Sequence, residues 1–117
     1  MNYLQHIYDA VSASTATPVY SYAAPQGVAE GFIVLQVNGL EITETKDEYK
    51  AERVGATLFL HFANADTAQS TLTTVRSYLQ TVHNTFTLAY MDGAQMFYNE
   101  DDQTVILAAD FTFLINY

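Results

Sequence analysis

The chain has 117 residues and a mass of 13.0 kDa, enough for one domain spanning 1–117 with a core that needs no staples. Half of its residues are hydrophobic and 15% are charged, which excludes a disordered chain; the absence of cysteine excludes disulfide scaffolds, thiolate zinc sites and thiol nucleophiles. Thirteen acidic residues against four basic ones give a net charge of −9, which excludes a basic stripe for a phosphate backbone and attraction to an anionic membrane.

The first residues, Met1-Asn2-Tyr3-Leu4-Gln5-His6, lack a basic start followed by an apolar stretch, so no secretory signal is read and synthesis inside the cell is expected. Leu4, Ile7, Tyr8 and Val11 follow the stripe of an amphipathic helix, with Asn2 and Gln5 as its capping pair. Pro18 stops it. A short extended piece, Pro18 to Tyr22, leads to a turn at Pro25-Gln26-Gly27. Phe32 to Thr43 reads as a strand, with Ile33, Leu35 and Val37 on one face and Val34, Gln36 and Asn38 on the other. The charged stretch from Thr43 to Lys50 reads as a solvated hairpin tip or the frayed ends of two strands. Arg53 to Phe62 is the clearest strand, with Val54, Ala56, Leu58, Leu60 and Phe62 on one face. Its other face carries Arg53, Gly55, Thr57, Phe59 and His61.

Asp66 and Gln69 read as a capping box opening the second helix. Its apolar stripe is Ala68, Leu72, Val75, Leu79 and Val82, and His83-Asn84 ends it. Thr85 to Tyr90 and Ala94 to Asn99 flank Asp92-Gly93, a hairpin signal. A second turn at Glu100 to Gln103 precedes Thr104 to Tyr117, in which Val105, Leu107, Ala109, Phe111, Phe113 and Ile115 share a face. No apolar run approaches the roughly 20 residues of a membrane-spanning helix. The expected architecture is α+β, in the order α-β-β-β-α-β-β. An antiparallel sheet of about four main strands carries two amphipathic helices on one face.

The candidate chemistry is sparse. His6, His61 and His83 fall in three different elements, with no spacing that brings two onto one metal. Glu100-Asp101-Asp102 lacks the alternation of a calcium loop and reads as a solvated turn. Asp110, within an apolar strand, is either a buried acid or base of raised pKa or, the preferred reading, an open-face residue paired with Arg53 or set at a subunit seam. No nucleophile elbow, phosphate loop or dinucleotide fingerprint occurs. No enzyme, cofactor or metal is expected.

The segment Pro18-Val19-Tyr20-Ser21-Tyr22-Ala23-Ala24-Pro25-Gln26-Gly27, followed by Gly31-Phe32-Ile33-Val34-Leu35, resembles the opening of the tail completion proteins of long-tailed phages, also called tail terminators. The resemblance continues through the charged hairpin, Arg53 to Leu60, the helix from Ala68 to Leu79, and Ala109-Asp110-Phe111-Thr112-Phe113. Glu30-Gly31, where the family often has a proline, and the strong negative charge depart from its pattern.

The resemblance implies a homo-oligomeric ring, usually of six subunits, that caps the tail tube and joins it to the head connector in the virion, after assembly in the host cytoplasm. Its partners would be further copies of itself, the tail tube protein and the head completion protein, with DNA passing through the lumen but no sequence-specific binding and no membrane. The seam is expected on the uncovered sheet face and the charged hairpin, at Val34, Gln36, Lys46, Asp47, Glu48, Tyr49, Phe59, His61 and Leu114. Two other readings stay open: a ligand-binding or enzyme domain with a pocket between sheet and helix, and an adaptor that takes a peptide at a sheet edge.

Overall fold

Two long stretches, Arg53 to Phe62 and Thr104 to Ile115, are apolar at every second residue, and they form two neighbouring inner strands of the sheet. In the computed structural model, residues 3–27, 30–44, 50–81, 88–100 and 103–116 are described. They form α1 (Tyr3–Ser14), β1 (Val19–Ser21), β2 (Phe32–Glu44), β3 (Lys50–Phe62), α2 (Ala65–Thr81), β4 (Leu88–Asn99) and β5 (Thr104–Asn116). The sheet has five strands in the order β1-β2-β3-β5-β4. The element order is the expected one, and the strand count is one above the expected four.

The sheet is also mixed rather than antiparallel. β1 runs parallel to β2, with Val19 opposite Ile33 and Ser21 opposite Leu35. The turn after β1 leaves Tyr22 with a φ of 69°, and the N–H groups of Tyr22 and Ala23 bond to the carbonyls of Leu35 and Ser21 at 2.9 Å. The remaining pairs are antiparallel. Leu58 faces Leu35 on one side and Ala109 on the other, so β3 is paired along both edges.

One sheet face is dry. Val54, Ala56, Leu58, Leu60 and Phe62 of β3 are all buried, as are Leu107, Ala109, Phe111 and Phe113 of β5 and Ile33 and Leu35 of β2. Ile7 and Val11 of α1 and Ala68, Leu72, Val75 and Leu79 of α2 close over them in one cluster. The expected stripes of both helices therefore face the sheet; Leu4 and Val82 are the members whose side chains fall outside the described set. None of the buried side chains of this cluster between sheet and helices is more than 8% exposed.

Two local signals resolve differently from expectation. α2 is capped by Asn64, whose Oδ1 accepts the Thr67 N–H at 2.9 Å, so Asp66 lies inside the first turn, where its charge suits the helix dipole. Asp92-Gly93 is not a hairpin turn. β4 runs straight through it, with Met91 opposite Phe111 and Gly93 opposite Asp110, leaving Asp92 as a bulge. A two-residue hairpin needs positive φ, and among the described glycines only Gly27 and Gly31 have it. The chain reverses instead before Thr104, where Gln103 has a φ of 54°. Of the charged stretch from Thr43 to Lys50, Thr43 and Glu44 end β2 and Lys50 begins β3, while residues 45–49 and the Asn2 cap lie outside the described residues.

Leu79→Ala should lower stability by about 2–5 kcal/mol, through lost transfer energy and the cavity left over the sheet. Asn64→Ala should cost about 1 kcal/mol as the first turn of α2 loses its cap. Urea unfolding of both variants reads the two effects directly.

Candidate functional site

The two helices cover one side of the sheet, and the other side is where the remaining chemistry collects. Register assigns its residues row by row. Phe32, His61, Ile106 and Phe97 lie across it at one end. Tyr20, Val34, Phe59, Ala108 and Gln95 form the next row, and Gln36, Thr57, Asp110 and Gly93 the third.

The first row is aromatic. The Phe32 and His61 rings stack at 4.4 Å and 13°, and Tyr20 meets Phe32 edge-on at 6.1 Å. Phe32 is buried, whereas Phe97 on the edge strand is 48% exposed. The Gly31 N–H bonds to the His61 carbonyl at 2.6 Å with Gly31 at a φ of 79°, a conformation that a side chain at this position would strain. Partial burial pushes the His61 imidazole below its ordinary pKa.

The third row is polar and tied by hydroxyls. Asn38, the extra residue of a bulge in β2, donates to the Thr57 hydroxyl, which in turn donates to Asp110 Oδ1 at 2.6 Å. Beyond it the Thr112 hydroxyl donates to Asp92 Oδ2, also at 2.6 Å. Asp110 is exposed, which places it on the open face, as preferred from the sequence. Its partner is Thr57 and not Arg53, which sits opposite Leu114, four residues back along β3.

Between these rows lies a shallow hollow of about 470 Å³, lined by Thr57, Phe59, Gly93, Ala94, Gln95, Phe97, Ala108 and Asp110. Small residues on two strands make it. A Cβ added at Gly93 would meet nothing within 4 Å.

Of the expected seam residues, Val34, Gln36, Phe59 and His61 come together in adjacent rows. Val34 is nearly covered already, Gln36 is exposed, and Phe59 and His61 are half-buried. Leu114, also half-buried, shares the face but lies six residues along β5 from the partner of Phe59. Lys46, Asp47, Glu48 and Tyr49 lie outside the described residues. Phe97, Ala108 and Gly93 line the hollow although the sequence reading did not single them out. For Phe97 and Gly93 the missing signal was the bulge at Asp92, which reassigns the alternation of every later residue of β4.

Among the described residues, no cluster of three or more His, Asp or Glu side chains is placed to hold a metal. His6 is on α1 and His61 on the open side of β3, so the sheet separates them; His83 lies outside the described residues. No described helix is long and apolar enough to cross a membrane.

No protein-family model and no curated protein matches this chain. Its fold has a solved counterpart. A chain in the virion of a native gene transfer agent particle superposes with a TM-score of 0.57 at 15% sequence identity, over 98% of this chain and 91% of that one. At this identity the likeness is one of fold.

The depressed His61 pKa has a pH consequence of definite sign. Between the folded-state value and the ordinary value of 6.5, the unfolded chain binds a proton that the folded chain refuses. The stability tied to neutral His61 is complete above the unfolded value and is lost as pH falls toward the folded one. Acidifying from about pH 7.5 to 5.5 should therefore lower the urea midpoint more in the wild type than in His61→Gln, and the difference between their pH profiles isolates this group from the carboxylates.

Proposed function

We propose that this chain is a structural subunit of a phage-like virion that closes with further copies into a ring on the head-proximal end of the tail tube. The observation that carries the reading is the likeness of fold to a chain of a gene transfer agent virion across 98% of the sequence. The sequence resemblance to tail completion proteins points the same way. In this role the ring ends tube growth on one side and offers a docking surface to a head connector on the other.

The physical features suit a ring subunit. The sheet keeps one face that two helices cannot reach, and that face carries Phe59, His61, Leu114 and Phe97 partly or largely uncovered. A head-to-tail contact that closes removes such a surface from water on every copy. The charged segment Lys46-Asp47-Glu48-Tyr49 would contribute to the same seam. A net charge of −9 per copy repels DNA passing through the lumen, and it also opposes association of the copies. The role is architectural and calls for no cofactor.

Screening acts over about 8 Å at physiological ionic strength, so salt should favour assembly. Native mass spectrometry at rising salt and protein concentration should show a shift from monomer to a closed ring of about six copies. Phe59→Asp should block the shift while circular dichroism shows the fold retained. Monomers and dimers alone at every salt would overturn the ring.

A further inference from the structure

We propose that the hollow on the open sheet face receives a cationic side chain of a second copy of this chain, and that the side chain is Arg76. The inference rests on the ring reading above and names the contact that would close it.

The hollow has the composition of a receptor for a long cation. Phe59 and Phe97 supply aromatic walls, Gly93 and Ala108 keep the floor low, and Thr57 and Asp110 supply the polar end. Thr57 occupies Asp110 Oδ1, and Oδ2 has no partner among the described residues. An arginine laid across such a site sets its planar head against the rings and presents its donors to the free carboxylate oxygen. Asp92, held by Thr112 on the neighbouring rows, adds a second negative charge to the same face. A long neutral side chain would satisfy the walls and leave the carboxylate stranded.

The source of the cation follows from how few there are. The chain has four: Lys46, Lys50, Arg53 and Arg76. A head-to-tail contact must bring a different surface of the next copy over this face. Arg53 stands on the open face itself, on the same side of β3 as Thr57. Lys50 begins β3 at the far end of the sheet, next to the segment that holds Lys46. Arg76 is exposed on α2, in the layer on the opposite side of the sheet, and it is the one lysine or arginine on the two described helices. Around it α2 presents Thr73, Thr74, Ser77 and Gln80, a neutral surface with no carboxylate to repel Asp110 and Asp92. Between two copies that each carry −9, this is the one described pairing of a basic helical residue with an acidic sheet face.

A charge-exchange experiment tests the contact. Arg76→Asp and Asp110→Arg are each examined by native mass spectrometry and sedimentation under the conditions in which the wild type assembles. Each variant alone should raise the concentration for half-assembly by about tenfold or more. An equimolar mixture of the two should restore assembly with the copies alternating, because each mutated surface then meets its complement. The double variant should do the same by itself. Gly93→Leu, which fills the hollow where nothing else stands, should block assembly with an unchanged urea midpoint. Asp110→Asn should weaken assembly without reversing a charge. Single variants that assemble like the wild type, or folded single variants whose mixture stays monomeric, would overturn the Arg76 contact while leaving the ring in place. A wild type that stays monomeric at every salt would overturn the ring reading itself, and this contact with it.

Discussion

The pairing of β3 along both of its edges is the constraint from which the rest of the molecule follows. It is the middle strand of five, hydrogen-bonded to β2 from Lys50 to His61 and to β5 from Ala51 to Phe62. Because its side chains alternate, this one strand feeds both faces of the sheet. Val54, Ala56, Leu58, Leu60 and Phe62 enter the core, and Gly55, Thr57, Phe59 and His61 enter the open face. A shift of one residue against either neighbour would put Leu58 in water and Thr57 in the core. The burial of five apolar side chains in sequence makes that shift costly, and so the open face is fixed as a by-product of the core.

The same division explains why the open face is neither core nor ordinary surface. Two helices of 12 and 17 residues, both on one side, leave the other side to cover itself. It does so in part. Phe32, Val34, Thr57 and Thr112 are nearly buried there, through ring stacking at one end and hydroxyl-to-carboxylate bonds toward the other. The strip beside β4 stays accessible, with the small Gly93 and Ala108 in its hollow and Phe97 48% exposed. That strip lies next to the carboxylates of Asp110 and Asp92.

Much of this was legible in the sequence because the signals were periodic. The alternation in Arg53 to Phe62 and Thr104 to Ile115, and the stripe Ala68, Leu72, Val75 and Leu79, each decide a face without outside help. The residues Val34, Gln36, Phe59 and His61 could be grouped for the same reason. β4 was not legible. Asp92-Gly93 satisfies the composition of a hairpin, yet composition cannot tell a turn from a bulge when both flanks can pair with one long neighbour. Thirteen residues of β5 offer that neighbour, and pairing with it on one side is what keeps β4 straight. The short extended piece from Pro18 to Tyr22 was legible, but its place in the sheet was not. Val19 to Ser21 has no periodicity to read in three residues, and its parallel pairing with β2 depends on the path of the chain.

The two bulges show how the polar part of the open face is built. Asn38 and Asp92 are the residues at which the register of β2 and β4 shifts, so each is surplus to the ladder. Each turns its side chain to a threonine on an inner strand, Asn38 to Thr57 and Asp92 to Thr112. Beyond each bulge the alternation flips: the open-face positions of β2 pass from Gln36 to Gly39, and those of β4 from Tyr90 to Gly93. Glycine is therefore the first open-face residue after both bulges, and at neither would an added Cβ meet anything within 4 Å. On the β4 side that vacancy forms the floor of the hollow, directly opposite Asp110. A carboxylate held by a threonine and facing an empty glycine position is oriented and accessible at once, a combination that an unbulged strand of larger residues would have filled.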